Sequence, residues 1–497
     1  MLERGTGRGE EVAGEEEGWA AGEFGGVSFG DARLTARLIQ LATLVGAQPA
    51  ASLPQACRGA PGALKATYRF FDNEAVEPAA LLAGHLEATV QRLATVERVL
   101  AVQDTTYLDY TSHPATTGLG PLRSVSQQGL LVHTTLALTP ERVPLGLLAQ
   151  QVWARDRETY APPAPQAHKQ RPITEKESQK WLVSLQATSA ARVRCPTTHF
   201  VSVGDREADV YELFTLPRPE GVDLLVRAGW DRRVAHPARF LWATVEASLP
   251  VATVTLRVPP RPAQPAQGGT PPRPRRAAQP AREALLTLRT CPVTLRPPTR
   301  RGPARAGQDR LQPVPLWAVL AQETTPPALP PGATPLEWLL LTTCPVPDAT
   351  AALERLAWYA CRWGIEVWHK ILKSGCRIET RQLETADRLR RCLALYSVVA
   401  WRVLYATLLA RALPEVPCTA LLDADEWRAL CCLLQHTSLP PPTPPSLRDA
   451  VRGIARLGGF LGRPHDGEPG PATLWRGFQR LHDYTAMYRV MSIPISP

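Results

Sequence analysis

HFVSVGDREADVYELF, residues 199–214, reads as a β-strand that stops at Gly204 and runs directly into a helix. A strand feeding a helix is the repeating unit of sheets covered by helices, so this stretch sets the fold class. The segments around it agree. ERVLAVQDTTYLDY (97–110) and GLLVHTTLALT (129–139) read as strands, and PLGLLAQQVWAR (144–155) as a third. KESQKWLVSLQATSAARV (176–193) is helical and DLLVRAGW (223–230) is another strand. The order strand, strand, strand, helix, strand, helix predicts an α/β or mixed sheet with helices packed on it.

Outside this zone the character changes. Residues 1–18 are rich in Glu and Gly and read as a disordered acidic extension. Residues 19–80 are helical in pattern: DARLTARLIQLATLVGA (31–47) begins at an Asp suited to capping a helix, and Arg33 and Arg37 stand one turn apart. Lys65 and Arg69 repeat that spacing in GALKATYRFFDN. Helices with spaced bases suit contact with DNA, although many such faces are ordinary wet surface.

The core pattern runs over 81–230, and residues 231–346 then read as an inserted β-subdomain. This insertion holds a Pro/Arg-rich loop, with twelve Arg against two acids between 257 and 310. The Pro-rich part by itself is what a linker looks like. TPLEWLLLTTCPV (334–346) is a further strand. Residues 347–411 are helix-rich, and beyond them 412–497 form a helical C-terminal region. There, SLRDAVRGIARLGGFLGR has small residues at spacings that permit close helix packing, as in segments that self-associate.

The formal charge is +10; residues 1–18 hold six Glu and two Arg, a net −4, so the remainder carries +14. An excess of that size favours a polyanionic partner. The ten cysteines show no CxxC pair and no Cys/His cluster at zinc spacing, which suits reduced thiols in the cytoplasm. An acidic N-terminus without an apolar run points to neither secretion nor membrane insertion.

Asp104 follows VLAV and Asp205 follows FVSV, so one sheet delivers both carboxylates. An Asp after a strand and before a helix can also be no more than a helix cap. YACRWGIEVWHKILKSG (359–375) supplies a third acid. On a helical wheel Arg362, Glu366, His369, Lys370 and Lys373 share one stripe, opposite Cys361, Ile365, Trp368, Ile371 and Leu372. Such a stripe is either a solvated face tied by i,i+4 ion pairs or an acid set among bases that hold an anion. Asp104, Asp205 and Glu366 together would be hard oxygen ligands, which suit Mg²⁺ or Mn²⁺ and, with two ions, in-line phosphoryl transfer.

Tyr359, Arg362, Glu366 and Lys373, with GDREAD (204–209) and VQDTTYLDY (102–110), resemble the Tyr-Arg-Glu-Lys signature and the two Asp motifs of bacterial insertion-sequence transposases with a DDE triad. Similarity extends to WAAGEFGGVSFGDARLTARL, EKESQKWL, TPLEWLLLT and IARLGGF. The resemblance implies an RNase H-like catalytic core interrupted by the β-subdomain, an N-terminal DNA-binding domain and a C-terminal dimerisation region. It implies cut-and-paste transposition through a hairpin at the terminal inverted repeats, performed by a homodimer on double-stranded DNA in the bacterial cytoplasm and nucleoid.

By position, Asp104, Asp205 and Glu366 become the metal ligands, and Tyr359, Arg362 and Lys373 grip phosphates. Trp338 becomes the platform for a flipped base, although its place in a strand equally suits packing. Arg227, His369 and Lys370 become further DNA contacts. The chain departs from the family pattern in having Leu130 and Leu131 where aromatics are common, and in Gly364 within the Glu-bearing helix. Two other functions would share much of this pattern: a repeat-binding protein that does not cut, and a stand-alone RNase H-like nuclease.

Overall fold

The computed structural model describes residues 18–57, 59–158, 160, 171–258, 260, 263, 278–298, 311–323 and 335–492. Nearly all of the acidic extension and most of the Pro/Arg-rich loop lie outside these residues.

In chain order the helices α1 (Trp19–Phe24), α2 (Ala32–Ala47), α3 (Leu53–Ala56), α4 (Pro61–Asp72) and α5 (Pro78–Leu93) precede the first strand. Strands β1 (Arg98–Asp109), β2 (Gly120–Pro121), β3 (Gln128–Leu138) and β4 (Pro144–Trp153) lead to α6 (Gln179–Arg194), β5 (His199–Gly204), α7 (Tyr211–Thr215) and β6 (Val222–Arg227). After α8 (Leu241–Glu246) come β7 (Pro250–Val258), β8 (Arg282–Leu295), β9 (Val314–Glu323) and β10 (Glu337–Thr342). The chain ends in helices: α9 (Ala349–Cys361), α10 (Trp363–Lys370), α11 (Ala386–Ala412), α12 (Ala424–Gln435), α13 (Leu447–Leu457) and α14 (Pro471–Met491).

Two compact units share the chain, one built from 89–390 and the other from 1–88 with 391–497. The first is organised by a ten-stranded sheet of order β2-β3-β1-β5-β6-β10-β9-β8-β7, with β4 also on β3. Setting aside the two-residue β2, the first five strands lie in the spatial order third, second, first, fourth, fifth. The first three pair antiparallel, and β1, β5 and β6 run parallel. This is the RNase H-like arrangement within a mixed sheet. The inserted strands do not form a separate sheet, because β10 pairs antiparallel with β6 and carries β9, β8 and β7 outward.

Central strands are apolar along nearly their whole length. Val99 to Val102, Val201, Val203, Leu224 and Leu225 are fully buried, as a strand covered on both faces requires.

The other unit joins the N-terminal and C-terminal helices. The guanidinium of Arg402 in α11 lies over the rings of Trp19 in α1 and Phe478 in α14. His85 pairs with Glu23 at 2.5 Å, both buried. Asp31 caps α2, accepting from the Arg33 amide at 2.9 Å. The Gly-rich end of α13 permits the close approach expected of it, since a Cβ on Gly458 would collide with the Thr473 carbonyl.

Helix α11 is long and apolar enough to cross a membrane by composition alone, with a mean hydropathy of 1.7, yet 89% of that window is buried in protein. Burial of that extent is the pattern of a core helix. All ten cysteines are free, and eight are buried.

Candidate active site

Parallel pairing of β1 with β5 last matches Val102 with Val203. Two residues further along both strands stand Asp104 and Asp205, so register alone sets them side by side. Asp104 is not at a strand end: β1 continues to Asp109, paired there with β3 only. Asp205 does leave its strand, and it caps a 3₁₀ turn, Arg206–Ala208, through Oδ1, which accepts from the Glu207 amide at 2.8 Å. Capping and site placement therefore coexist in one residue. Gly204 makes the turn feasible, because a Cβ there would strike the Ala208 side chain.

Glu366 comes from the helical segment 359–375, which is not one uninterrupted helix. Its α-helical hydrogen bonding is interrupted at Arg362, between α9 and α10, where the backbone stays in the helical region, and it finishes as a π-helical turn, Ile371–Gly375, closed by the Cys376 amide on the Ile371 carbonyl. Such turns re-aim side chains and recur at functional sites. The apolar arc is buried as the wheel predicts: Ile365, Trp368, Ile371 and Leu372 are each 0% exposed. Gly364 lets this helix settle on β3, since a Cβ there would lie 2.9 Å from Leu138 Cδ1.

Arg362 is the hub. Its guanidinium donates to Glu366 Oε1 at 2.6 Å and stands 3.6 Å from Asp104 Oδ2. Burial pushes the Asp104 carboxyl up to about 6, against the pull of Arg362 and the Thr105 amide. The charges of Asp205 and Glu366 push the same way. His369 is buried, with Nδ1 3.9 Å from Asp104 Oδ2. Burial, with Lys373 and Arg362 nearby, holds its imidazole down to about 3, so it stays neutral.

Tyr359 is buried, which raises its hydroxyl pKa while Arg362 and Arg227 oppose the shift. Its ring lies 6.1 Å from that of Trp338. Trp338 is half-buried against the Ala284, Leu286, Leu288 and Ala321 cluster, so strand packing accounts for part of its surface. Arg227 donates to the Glu337 carbonyl at 2.8 Å. Lys373 reaches the Tyr107 carbonyl and stands 3.2 Å from Glu379. Lys370 points to solvent, outside this group. Leu130 and Leu131 are fully buried core residues.

Arg227 Nε, Arg362 Nε and His369 Nε2 are buried donors or acceptors with no hydrogen-bond partner in the described structure. Unmet buried groups at one place are what an anionic ligand would satisfy.

A layer beneath the site was not singled out in the sequence. Gln103 donates to Ser202 Oγ at 2.6 Å and approaches His133 Nε2 at 3.4 Å, and His133 Nδ1 meets Thr105 Oγ1 at 2.9 Å. Burial holds His133 neutral, with its pKa down to about 3. Its signal was present as polar residues in otherwise apolar strands, Gln103 in VQDTTY and His133 in LLVHTT. Nearby Lys180, in EKESQKWL, is also buried and ion-paired with Glu207 at 3.4 Å. Asp209 is structural: it accepts from the Gly229 and Trp230 amides and from Arg232.

Arg33, Arg37, Lys65 and Arg69 belong to the other unit. They line one cleft of about 430 Å³ between α2 and α4, with Phe70 and Asn73 among its other walls. Arg33 is 91% exposed at its side chain, held by Asp31 at 3.0 Å.

Residues 16–76 match the transposase DNA-binding family model, and residues 398–491 match the Tn5 transposase dimerisation domain. Both matches are to transposase domains, one near each end of the chain. The basic cleft lies inside the first match, and the second covers most of α11 through α14.

Among solved structures it is similar to the piggyBac transposase synaptic complex with hairpin DNA, at 9% identity and a TM-score of 0.30. That match covers 67% of this chain and 52% of the other, so it spans about half the length of its relative. The RNase H-like assignment rests on strand order, not on that overlay.

Proposed function

We propose that the chain catalyses cut-and-paste transposition of an insertion sequence, by cleavage at terminal inverted repeats and strand transfer into target DNA. The observation that carries this reading is the gathering of Asp205, Glu366 and Arg362 about Asp104, with Arg362 also on Glu366, in a chain whose two ends match transposase DNA-binding and dimerisation models.

Three oxygen donors fit a hard divalent cation, and Asp104, whose ionisation is opposed by burial, is a carboxylate that a cation would relieve. Asp104, Asp205 and Glu366 would hold Mg²⁺, or Mn²⁺ in its place, as a pair of ions. Such ions supply an activated water or 3′ hydroxyl and stabilisation of the leaving oxygen.

The protein's own groups do the positioning. Arg362, released from Glu366, turns to the phosphate beside the scissile bond, with Arg227 and Tyr359 behind it. His369, neutral at physiological pH, donates or accepts a hydrogen bond without adding charge. Trp338 offers a half-exposed ring at the same edge, suited to stack a base extruded when the cleaved end closes as a hairpin. Lys373 and the exposed Lys370 extend the cationic surface along the DNA. The active unit is a dimer bound to both ends.

The test is cleavage of a plasmid bearing the inverted repeats that flank the gene. With Mg²⁺ the purified chain should release the repeat-bounded segment with hairpin ends, and Asp205→Asn or Glu366→Gln should reduce release by at least a thousandfold while end binding persists. Binding without any cutting by the wild type would leave a repeat-binding protein. Cutting that ignores the repeats would indicate a general nuclease.

Arg362→Ala should separate positioning from metal holding. Assembly of the paired-end complex, read by gel shift, should weaken by tenfold or more, consistent with roughly 1.5–3 kcal/mol for a charge-assisted contact. Assembly unchanged at moderate salt would remove Arg362 from the phosphate grip.

A further inference from the structure

Strands β5, β6 and β10 bring a second constellation together at the opposite end of the sheet from Asp205. His199 opens β5, Asp223 lies at the start of β6, and Cys344 follows β10, which runs antiparallel to β6. Six residues of strand separate His199 from Asp205, roughly 20 Å. Among the described residues this is the one group of three His, Cys, Asp or Glu whose donor atoms all lie within 4.8 Å of one another.

From this cluster we infer a binding site for Zn²⁺, distinct from the carboxylate triad, with His199, Asp223 and Cys344 as protein ligands and solvent in the fourth position.

The donor set decides the ion. One imidazole nitrogen, one carboxylate oxygen and one sulfur suit a borderline cation of tetrahedral preference, whereas Mg²⁺ and Ca²⁺ want oxygen throughout. Tetrahedral bonds of about 2.0–2.3 Å set ligand atoms roughly 3.3–3.8 Å apart, so the observed cluster needs side-chain adjustment only. The backbone beneath is already tied by pairing of Phe200 with Val222 and of Leu225 with Thr342.

His199 Nε2 now meets Asp223 Oδ2 at 2.8 Å, and its Nδ1 is buried with no hydrogen-bond partner. Nothing on the far side of the ring therefore resists a small turn toward an ion. Asp223 Oδ1 accepts from Thr343 Oγ1 at 2.5 Å, so Oδ2, now paired with His199, is the oxygen that would exchange that partner for the ion. The side chains of His199 and Asp223 are 28% and 26% exposed, so water reaches the open position, while Cys344 is buried beneath them. Burial, with Asp223 beside it, pushes the Cys344 thiol up to about 12, against the pull of Arg355, so without an ion the sulfur keeps its proton; coordination would send that proton to solvent and leave the sulfur as thiolate.

The position gives the ion a mechanical role. Cys344 sits on the link between β10 and α9, the helix that leads to Arg362 and Glu366. A bound ion would clamp that link to the strand that ends in Asp205, holding both sides of the active site from below.

Cobalt is the probe. Titrating metal-free, reduced full-length protein with Co²⁺ should produce a thiolate-to-cobalt charge-transfer band that saturates at one equivalent and is abolished by Zn²⁺. Cys344→Ser should lose the band, His199→Gln should weaken Co²⁺ affinity at least tenfold, and Glu366→Gln should leave both unchanged. The half-exposed His199 keeps the test decisive should Cys344→Ser misfold, as judged by circular dichroism. No band in the wild type, or a band that survives in folded Cys344→Ser or is unaffected by His199→Gln, would make the cluster a hydrogen-bonded network and overturn the assignment. None of these readouts depends on DNA cleavage.

Discussion

Asp104→Asn is expected to abolish Mg²⁺-dependent strand cleavage and, in the metal-free protein, to raise stability. The first effect would follow from the proposed role of Asp104 as a charged oxygen ligand beside Asp205, where β1 and β5 part. The second follows from burial, which raises the Asp104 pKa from 3.8 to about 6. A carboxyl whose pKa is higher in the folded state binds its proton more tightly there. Its ionisation therefore costs stability progressively as pH rises from about 4 to 6, and the full cost persists above that window.

At 1.36 kcal/mol per unit the cost at pH 7 is roughly 2–3 kcal/mol, which the neutral amide avoids. Denaturant unfolding of the two proteins should differ by that amount at pH 7 without divalent ions, and converge near pH 4. Saturating Mg²⁺ should close the gap at pH 7 by stabilising only the wild type, since ligand at a hundred times its Kd contributes about 2.7 kcal/mol. A variant that is inactive but less stable than wild type at pH 7 would show that Asp104 serves the fold and not a charge-dependent site. Strain of this kind, stored in a buried acid, is common where function opposes stability.

Replacing Arg33, Arg37, Lys65 and Arg69 together by Ala should reduce affinity for the element's ends by roughly a thousandfold at 0.1 M salt. Each phosphate contact contributes about 0.9 to the slope of log K against log salt, so four contacts make up to about 3.6 of it. At 0.1 M that slope corresponds to as many decades. The Asp31 pairing already neutralises part of Arg33, which trims the estimate. Fluorescence anisotropy across a salt series reads both quantities. An unchanged slope would mean that the cleft between α2 and α4 meets water and not phosphate. The unit should remain folded, because these side chains line an open cleft while Leu38, Leu41, Phe70 and Phe71 form the core behind it.

Much of this was legible beforehand. The strand-to-helix switch at Gly204, the apolar runs of β1, β3 and β5 and the Asp31 cap are local patterns, and local patterns survive in sequence. Strand order is not local. That β10 pairs with β6, so that the insertion extends the core sheet, depends on contacts between residues more than a hundred positions apart.

The same holds within the site. Wheel geometry correctly separated the buried arc of 359–375 from its polar stripe, yet only packing showed that Lys370 faces solvent while His369 is buried beside Asp104. Nothing in the order of residues marks a π-turn after Lys370, since it arises from how the helix ends against the sheet.

What the sequence by itself determined is the chemistry available: two acids after apolar strands, a third on an amphipathic helix, and bases at helical spacing. Periodicity and residue type are properties of neighbours along the chain, and they need no tertiary information. Tertiary structure decided which of those groups meet. Parallel register set Asp104 beside Asp205, packing brought the Arg362 guanidinium to two of the three carboxylates, and three strand ends joined His199, Asp223 and Cys344, residues that no spacing rule links. Proximity of that kind is created by closing long loops around a common core, and it exists only once the core has formed.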